Sequence, residues 1–178
     1  MKIATQCQSI RVLLCIVFLF QCLFFVLAWS NIPLDVAGLH MYLTPSGLSF
    51  AQMGDLMPSQ RLIGTLLGLP NIVAMAYGFW HLYALLISVQ HRAIFSMKNI
   101  VALRSFAGAG FLATLATILE LPLRHLCFKI FTKVDDRQVS FSITSEQLML
   151  ILVSCLFYLV INIMHEGRRL AEENEGFI

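Results

Sequence analysis

Four stretches of this chain each hold about as many consecutive apolar residues as one bilayer crossing needs, roughly 20. They run from Val12 to Trp29, Leu62 to Val89, Ser105 to Leu123 and Leu148 to Met164. No other feature restricts the fold as strongly. A water-exposed globule carries about 25% charged residues, and this chain of 178 residues has 12%, with 58% hydrophobic. So few charges cannot coat a globule of this size, and the apolar residues lie in blocks instead of stripes. The pattern predicts an all-α, polytopic membrane protein: one four-helix membrane domain over residues 1–178, its spans packed as a bundle. The tail from 165 to 178 is expected to be cytoplasmic. The formal charge of +2 comes with no basic run, so no direct contact with nucleic acid is expected.

The first block exceeds the 7–15 apolar residues usual for a signal peptide. It therefore reads as an uncleaved anchor with Trp29 at the outer interface, although Ala28-Trp29-Ser30 also has the form of a cleavage site. Leu69-Pro70-Asn71 interrupts the second block. Proline removes a backbone donor and crowds the preceding turn, which predicts a kink or a restart at Pro70, with Leu62 to Leu69 tilted or interfacial. Ser96 is placed to cap the third helix from Met97, and Phe95 to staple onto Ile100. Between the third and fourth blocks, Val139, Phe141 and Ile143 alternate with Ser140 and Ser142, the pattern of a short outer strand. Thr144-Ser145-Glu146-Gln147 follows as a capping box.

Orientation follows from the basic residues. With four spans and the N-terminus inside, seven fall on the cytoplasmic side: Lys2, Arg11, Arg92, Lys98, Arg104, Arg168 and Arg169. Five fall outside: Arg61, Arg124, Lys129, Lys133 and Arg137. The excess has the sign of the positive-inside rule. Cys7, Cys15, Cys22 and Cys155 lie in or beside apolar blocks, which leaves only Cys127 outside, so the five cysteines make no disulfide framework.

Helices in lipid associate through close packing and hydrogen bonds, because lipid tails are as apolar as leucine. Two stripes supply the small residues for this: Gly64 with Gly68, and Ser105, Ala109, Ala113 and Thr117. Both read as packing faces within one chain, with contacts between copies of a homo-oligomer as the alternative.

Chemistry-bearing residues are sparse. Glu120 is the one acidic side chain within an apolar stretch and has two readings, a proton or cation relay or an ion pair with Arg124 one turn later. Asn71, Tyr77 and His81 could form a polar path with it. The five histidines do not converge at one depth, so no metal, haem or other cofactor is expected. No nucleophile with a neighbouring base, paired carboxylates or phosphate-binding glycine loop is present, and nothing argues for an enzyme. Beyond the last block, Arg168 with Glu172 and Arg169 with Glu173 are i,i+4 pairs on a helix that Gly176 can end. With Asn174 they form a candidate interaction surface.

Several segments resemble one bacterial membrane family, domain of unknown function 2975. They are Ala93-Ile94-Phe95-Ser96, Asn99-Ile100, Leu103-Arg104, the strand-like Val139 to Thr144, and the ending from Glu166 to Ile178. The resemblance covers roughly Tyr77 to Ile178. It implies a four-helix protein of the bacterial inner membrane with no established activity. It also implies a setting beside small helix-turn-helix regulators, hence a membrane partner of such a regulator. Two functions follow as expectations. The first is an interaction or regulatory protein acting through the loop from His91 to Arg104 and the tail from Glu166 to Ile178. The alternative is a small oligomeric transporter or channel using Asn71, Tyr77, His81 and Glu120.

Overall fold

The computed structural model describes residues 2–30, 32–36, 39–90, 96–132, 141 and 143–175. In chain order these form α1 (Lys2–Ser30), a two-stranded ribbon of β1 (Leu34–Val36) and β2 (Leu39–Met41), α2 (Phe50–Asp55), α3 (Pro58–Gln90), α4 (Met97–Thr132) and α5 (Ser145–Glu175). The ribbon is antiparallel, with Asp35 opposite His40. Apart from it the regular elements among the described residues are helices, and α1, α3, α4 and α5 are each long and apolar enough to cross a membrane. At 33 residues α3 is about 50 Å long, well beyond the ~30 Å of a hydrocarbon core. Some of its turns must therefore tilt or stand clear of the lipid tails.

Side-chain distribution follows the lipid reading. Leu19, Phe20, Val73 and Trp80 point outward, with Trp80 74% exposed, whereas Ala107, Ala109, Ala113 and Gly78 face inward. A water-soluble helical protein sorts these residues the other way, because there the large apolar groups must leave water. Small inward residues let backbones approach closely, which is what helix association in lipid requires.

The close approaches run α1–α3, α3–α4 and α4–α5. The glycines of the second block meet aromatic rings of α1: a Cβ on Gly64 would fall on the Trp29 indole, and one on Gly68 would lie 2.7 Å from Phe25. Farther along, Phe18 meets Phe79 edge to face with ring centroids 5.5 Å apart. Arg11 Nη2 donates to Gln90 Oε1 at 2.9 Å, so α1 and α3 are antiparallel along their whole contact. Between α3 and α4 one close approach is at Gly78, where a Cβ would stand 3.0 Å from that of Ala109. The α4–α5 contact is built from Ile100, Leu103 and Ala107 with Ile161, together with a Phe106–Phe157 edge-to-face pair at 5.4 Å. Leu85 of α3 joins this cluster. The start of α1, the end of α3, the start of α4 and the end of α5 therefore share one end of the molecule.

Of the small-residue stripe, Ala109 and Ala113 are buried within the chain, while Ser105 and Thr117 are half-buried. Four hydroxyls within the long helices bond backward along their own helix. Thr65 donates to Arg61 O, Thr114 to Gly110 O, Thr117 to Ala113 O and Ser154 to Leu150 O, at 2.8 to 2.9 Å. Each is thereby satisfied without a partner on another helix.

The caps form as the sequence predicts. Asn99 N donates to Ser96 Oγ at 3.3 Å. Thr144 N donates to Gln147 Oε1 at 2.9 Å, and Gln147 N returns to Thr144 Oγ1 at 3.3 Å. The proposed staple partner Phe95 lies outside the described residues, as does most of the expected outer strand. Phe141 and Ile143, the two alternating apolar residues described there, are exposed and belong to no strand.

One expectation needs correction. The second block does not restart at Pro70: α3 is one helix with Pro70 inside it. Proline is tolerated in such helices because neighbouring helices and small backbone adjustments accommodate the freed groups. Here Gly64 and Gly68 fix the turns before Pro70 to α1, so Leu62 to Leu69 stays part of the helix. The third helix runs beyond the apolar block that ends at Leu123. It carries Pro122 and continues to Thr132, with Lys129 in its last turn, where a cation meets the negative end of the helix dipole. Arg124, His125 and Cys127 are consequently helical, and both Arg124 and His125 are buried. All five cysteines are free thiols.

If α1 is held by the rings seated on the α3 glycines, Gly64→Ala forces Trp29 out and should cost about 1–3 kcal/mol, the usual cost of overpacking. Gly167→Ala, which has nothing within 4 Å, should be neutral or stabilising by up to about 1 kcal/mol from helix propensity. Thermal unfolding in one detergent measures both, and equal melting temperatures would refute the packing account.

Candidate functional site

The structure places polar groups at three locations: beneath the loop between α1 and α3, along the middle of α3, and at the charged end of α5. The loop is built from local signals. Leu48 N donates to Pro45 O at 3.2 Å across a turn in which Gly47 takes φ 77°, a conformation that disfavours a side chain. Ser49 then caps α2, exchanging bonds with Gln52 at 3.0 and 3.3 Å. Leu48, Met53 and Leu56 from this segment close a cluster with Trp29 of α1 and Phe128 of α4.

Two arginines hold the backbone of this loop. Arg61 Nη2 donates to Met53 O at 2.8 Å, taking up a carbonyl near the end of α2. Arg124 is more deeply placed, with its side chain only 1% exposed. Its Nη2 donates to Ser46 O, its Nη1 meets Glu120 Oε1 at 3.1 Å, and its Cζ stands 5.8 Å from the Trp29 ring centroid. A guanidinium can satisfy a carboxylate, a carbonyl and a ring face at once because its donors fan out in a plane. A buried charge is tolerable only with such partners. Of the two readings of Glu120, the ion pair with Arg124 is the geometry found. The residue ties its own helix to α1 and to the loop, although α1 and α4 share no extended helix contact.

Of the expected polar path, Tyr77 and His81 are neighbours one turn apart, with ring centroids 4.5 Å apart. Tyr77 lies over a groove between α3 and α4, whose wall also holds Pro70, Val73, Ser105 and Leu112. Asn71, His81 and Glu120 are not on that wall, and Glu120 is engaged at the Arg124 end. The structure thus brings two of the four residues together.

At its other end α5 runs as a helix to Glu175. Arg168 Nε meets Glu172 Oε1 at 2.6 Å. Arg169 bridges to Glu166 at 2.7 Å and to Glu173 at 3.4 Å. The first and last pairs are those predicted from spacing, and the Glu166 pair adds a third. Exposed i,i+4 pairs contribute only about 0.3–0.5 kcal/mol each, so they stiffen the helix end without anchoring it. Leu170 stands exposed among them. Asn174 belongs to α5, its side chain lying outside the description.

Sequence reasoning missed the joining role of Arg124. Its pairing with Glu120 was visible as one helical turn, but Trp29 and Ser46 are far away along the chain. A local signal for the loop did exist in Ser49-x-x-Gln52, the same box seen at Thr144. Also missed was Arg11, which sits 5.8 Å from the Tyr83 ring centroid besides bonding Gln90. Among the described residues no group of three or more His, Cys, Asp or Glu could hold a metal ion.

A family model described as a protein of unknown function (DUF2975) matches residues 47–178, about three quarters of the chain. No curated protein and no solved structure matches it. The matched region begins at Gly47, the turn glycine that Arg124 and Leu121 crowd.

Removing the guanidinium leaves Glu120 and the loop carbonyl without their shared donor. Arg124→Ala should therefore cost about 3–5 kcal/mol, as expected when one member of a buried pair is lost. Gly47→Ala, strained by its φ and placing a Cβ 2.6 Å from Leu121, should cost about 1–3 kcal/mol. Both should speed proteolysis within residues 42–57 in detergent, and unaltered cleavage there would remove Arg124 as the clamp.

Proposed function

We propose that this chain, which belongs to the DUF2975 family of proteins of unknown function, is a membrane-bound interaction partner of a small soluble regulator. The observation that carries the reading is the end of α5, a solvent-exposed helix stiffened by the Arg168–Glu172, Arg169–Glu166 and Arg169–Glu173 pairs. It forms a preordered surface, and a partner that docks on it does not have to order the segment first. The seven-to-five count of basic residues supports a cytoplasmic position for both chain ends. The resemblance to a bacterial family supports the inner membrane and a helix-turn-helix protein as the partner. No feature of the described residues calls for enzymatic chemistry.

Affinity purification of the intact protein from native membranes should recover one small regulator in stoichiometric amount. Scrambling residues 168–173, with composition and helix propensity kept, should lower that recovery at least tenfold while membrane insertion stays the same. Equal recovery by the scrambled chain, or none by the native one, would sink the proposal.

The alternative is transport along Asn71, Tyr77, His81 and Glu120. The Tyr77–His81 contact supports it, and the engagement of Glu120 with Arg124 weighs against it. On the transport reading, Glu120→Gln abolishes flux in reconstituted vesicles. On the interaction reading it changes only stability.

A further inference from the structure

A pocket of about 160 Å³ lies among α3, α4 and α5, and the Arg124 clamp and the charged tail take no part in it. It exists because small residues occupy places where larger ones would fill space: Ala74 and Gly78 on α3, Ala109 and Gly110 on α4. Phe106 and Phe157 close it toward the Ile100–Ile161 cluster. On α5 the adjoining Leu150 and Val153 are exposed, so the pocket opens between α3 and α5, two helices that each pack on α4. The residues around it fall in the interior of three candidate spans, which puts the opening among lipid tails.

The chemistry of the wall limits what can enter. It is almost wholly apolar, and its one hydroxyl, Ser154 Oγ, already donates to Leu150 O at 2.9 Å. A water there would lack the two to four polar partners it needs, and apolar cavities of about this size stay dry and take up apolar guests. An empty cavity leaves its lining without contacts on one side, which is unfavourable wherever a fitting group is within reach. In a bilayer the fitting group at that depth is an aliphatic chain, present at very high local concentration.

We infer that the α3–α4–α5 pocket is a binding site for one linear aliphatic chain, entering from the lipid between α3 and α5. The site recognises the chain by shape alone and uses no polar group. Either a membrane phospholipid or a free long-chain fatty acid could supply it. Gly110 is the residue that keeps the space open. A Cβ there would meet only Ser154 Oγ, at 3.7 Å, an ordinary contact, whereas one on Gly78 would crowd Ala109 at 3.0 Å.

The test uses the full chain in lipid nanodiscs with two photoreactive probes, a phospholipid and a fatty acid, each with a diazirine midway along its chain. Labelled peptides are then mapped. The native protein should be labelled on α4 near Gly110 and on α5 near Ser154 by at least one probe, and the two arms identify the source. Gly110→Leu should fill the pocket, lower that labelling at least fivefold and leave the melting temperature equal or higher, while labelling of the outer face of α1 stays the same. Ser154→Ala should label like the native chain. Equal labelling of Gly110→Leu overturns the inference, as does loss of labelling in Ser154→Ala, which would mean a polar ligand. Absence of both probes from the pocket in the native protein also overturns it.

Discussion

Close approach of backbones, made possible by glycine and alanine, is the constraint on which the rest of this structure depends. Where lipid tails surround a helix, sequestering a leucine from them brings no gain, and what remains is contact between surfaces that fit. The chain meets this requirement asymmetrically. α3 contributes the recesses, at Gly64, Gly68 and Gly78, and its neighbours contribute what fills them: Trp29 and Phe25 from α1, Ala109 from α4. The hydroxyls that might have bridged helices are turned to their own backbones instead. Apart from the Arg11–Gln90 bond between α1 and α3, shape therefore does much of what hydrogen bonds do in other membrane proteins.

Charge enters this framework at the two ends only, and in opposite manners. At the loop end Arg124 is surrounded on several sides, and its strength comes from low dielectric and from partners drawn from three parts of the chain. At the tail end Arg168 and Arg169 pair in the open, where each interaction is weak and screened by salt. The first arrangement fixes the loop over the helices. The second keeps a short helix straight while its surface stays available.

Much of the helical plan could be read directly. Block length predicted four crossings, and Ser96, Thr144 and Gln147 predicted where α4 and α5 begin, because caps and hydropathy are local properties. Errors arose where local rules were overridden by neighbours. Pro70 reads as a kink or a restart, yet it lies inside α3, whose turns before it are held against α1. The loop between α1 and α3 was left unassigned because its strongest determinants, Trp29 and Arg124, lie 95 residues apart in sequence, and no periodicity links them. Of the candidate site residues, the tail pairs were legible from i,i+4 spacing, and so was Glu120 with Arg124. The pocket among α3, α4 and α5 had no signal in any single segment. It is a volume left by three helices together, and only their relative positions define it.

The packing of α1 along α3 also has a consequence for the order of synthesis. Trp29 and Phe25 precede in the chain the glycines that receive them, so the rings of α1 are synthesised before their seats on α3. α3 then emerges with the recesses already formed, and the hairpin of α1 and α3 can close before α4 exists. Arg124 is made later still, so the guanidinium that secures the loop, the most deeply buried charge among the described residues, follows both Trp29 and Ser46 in synthesis.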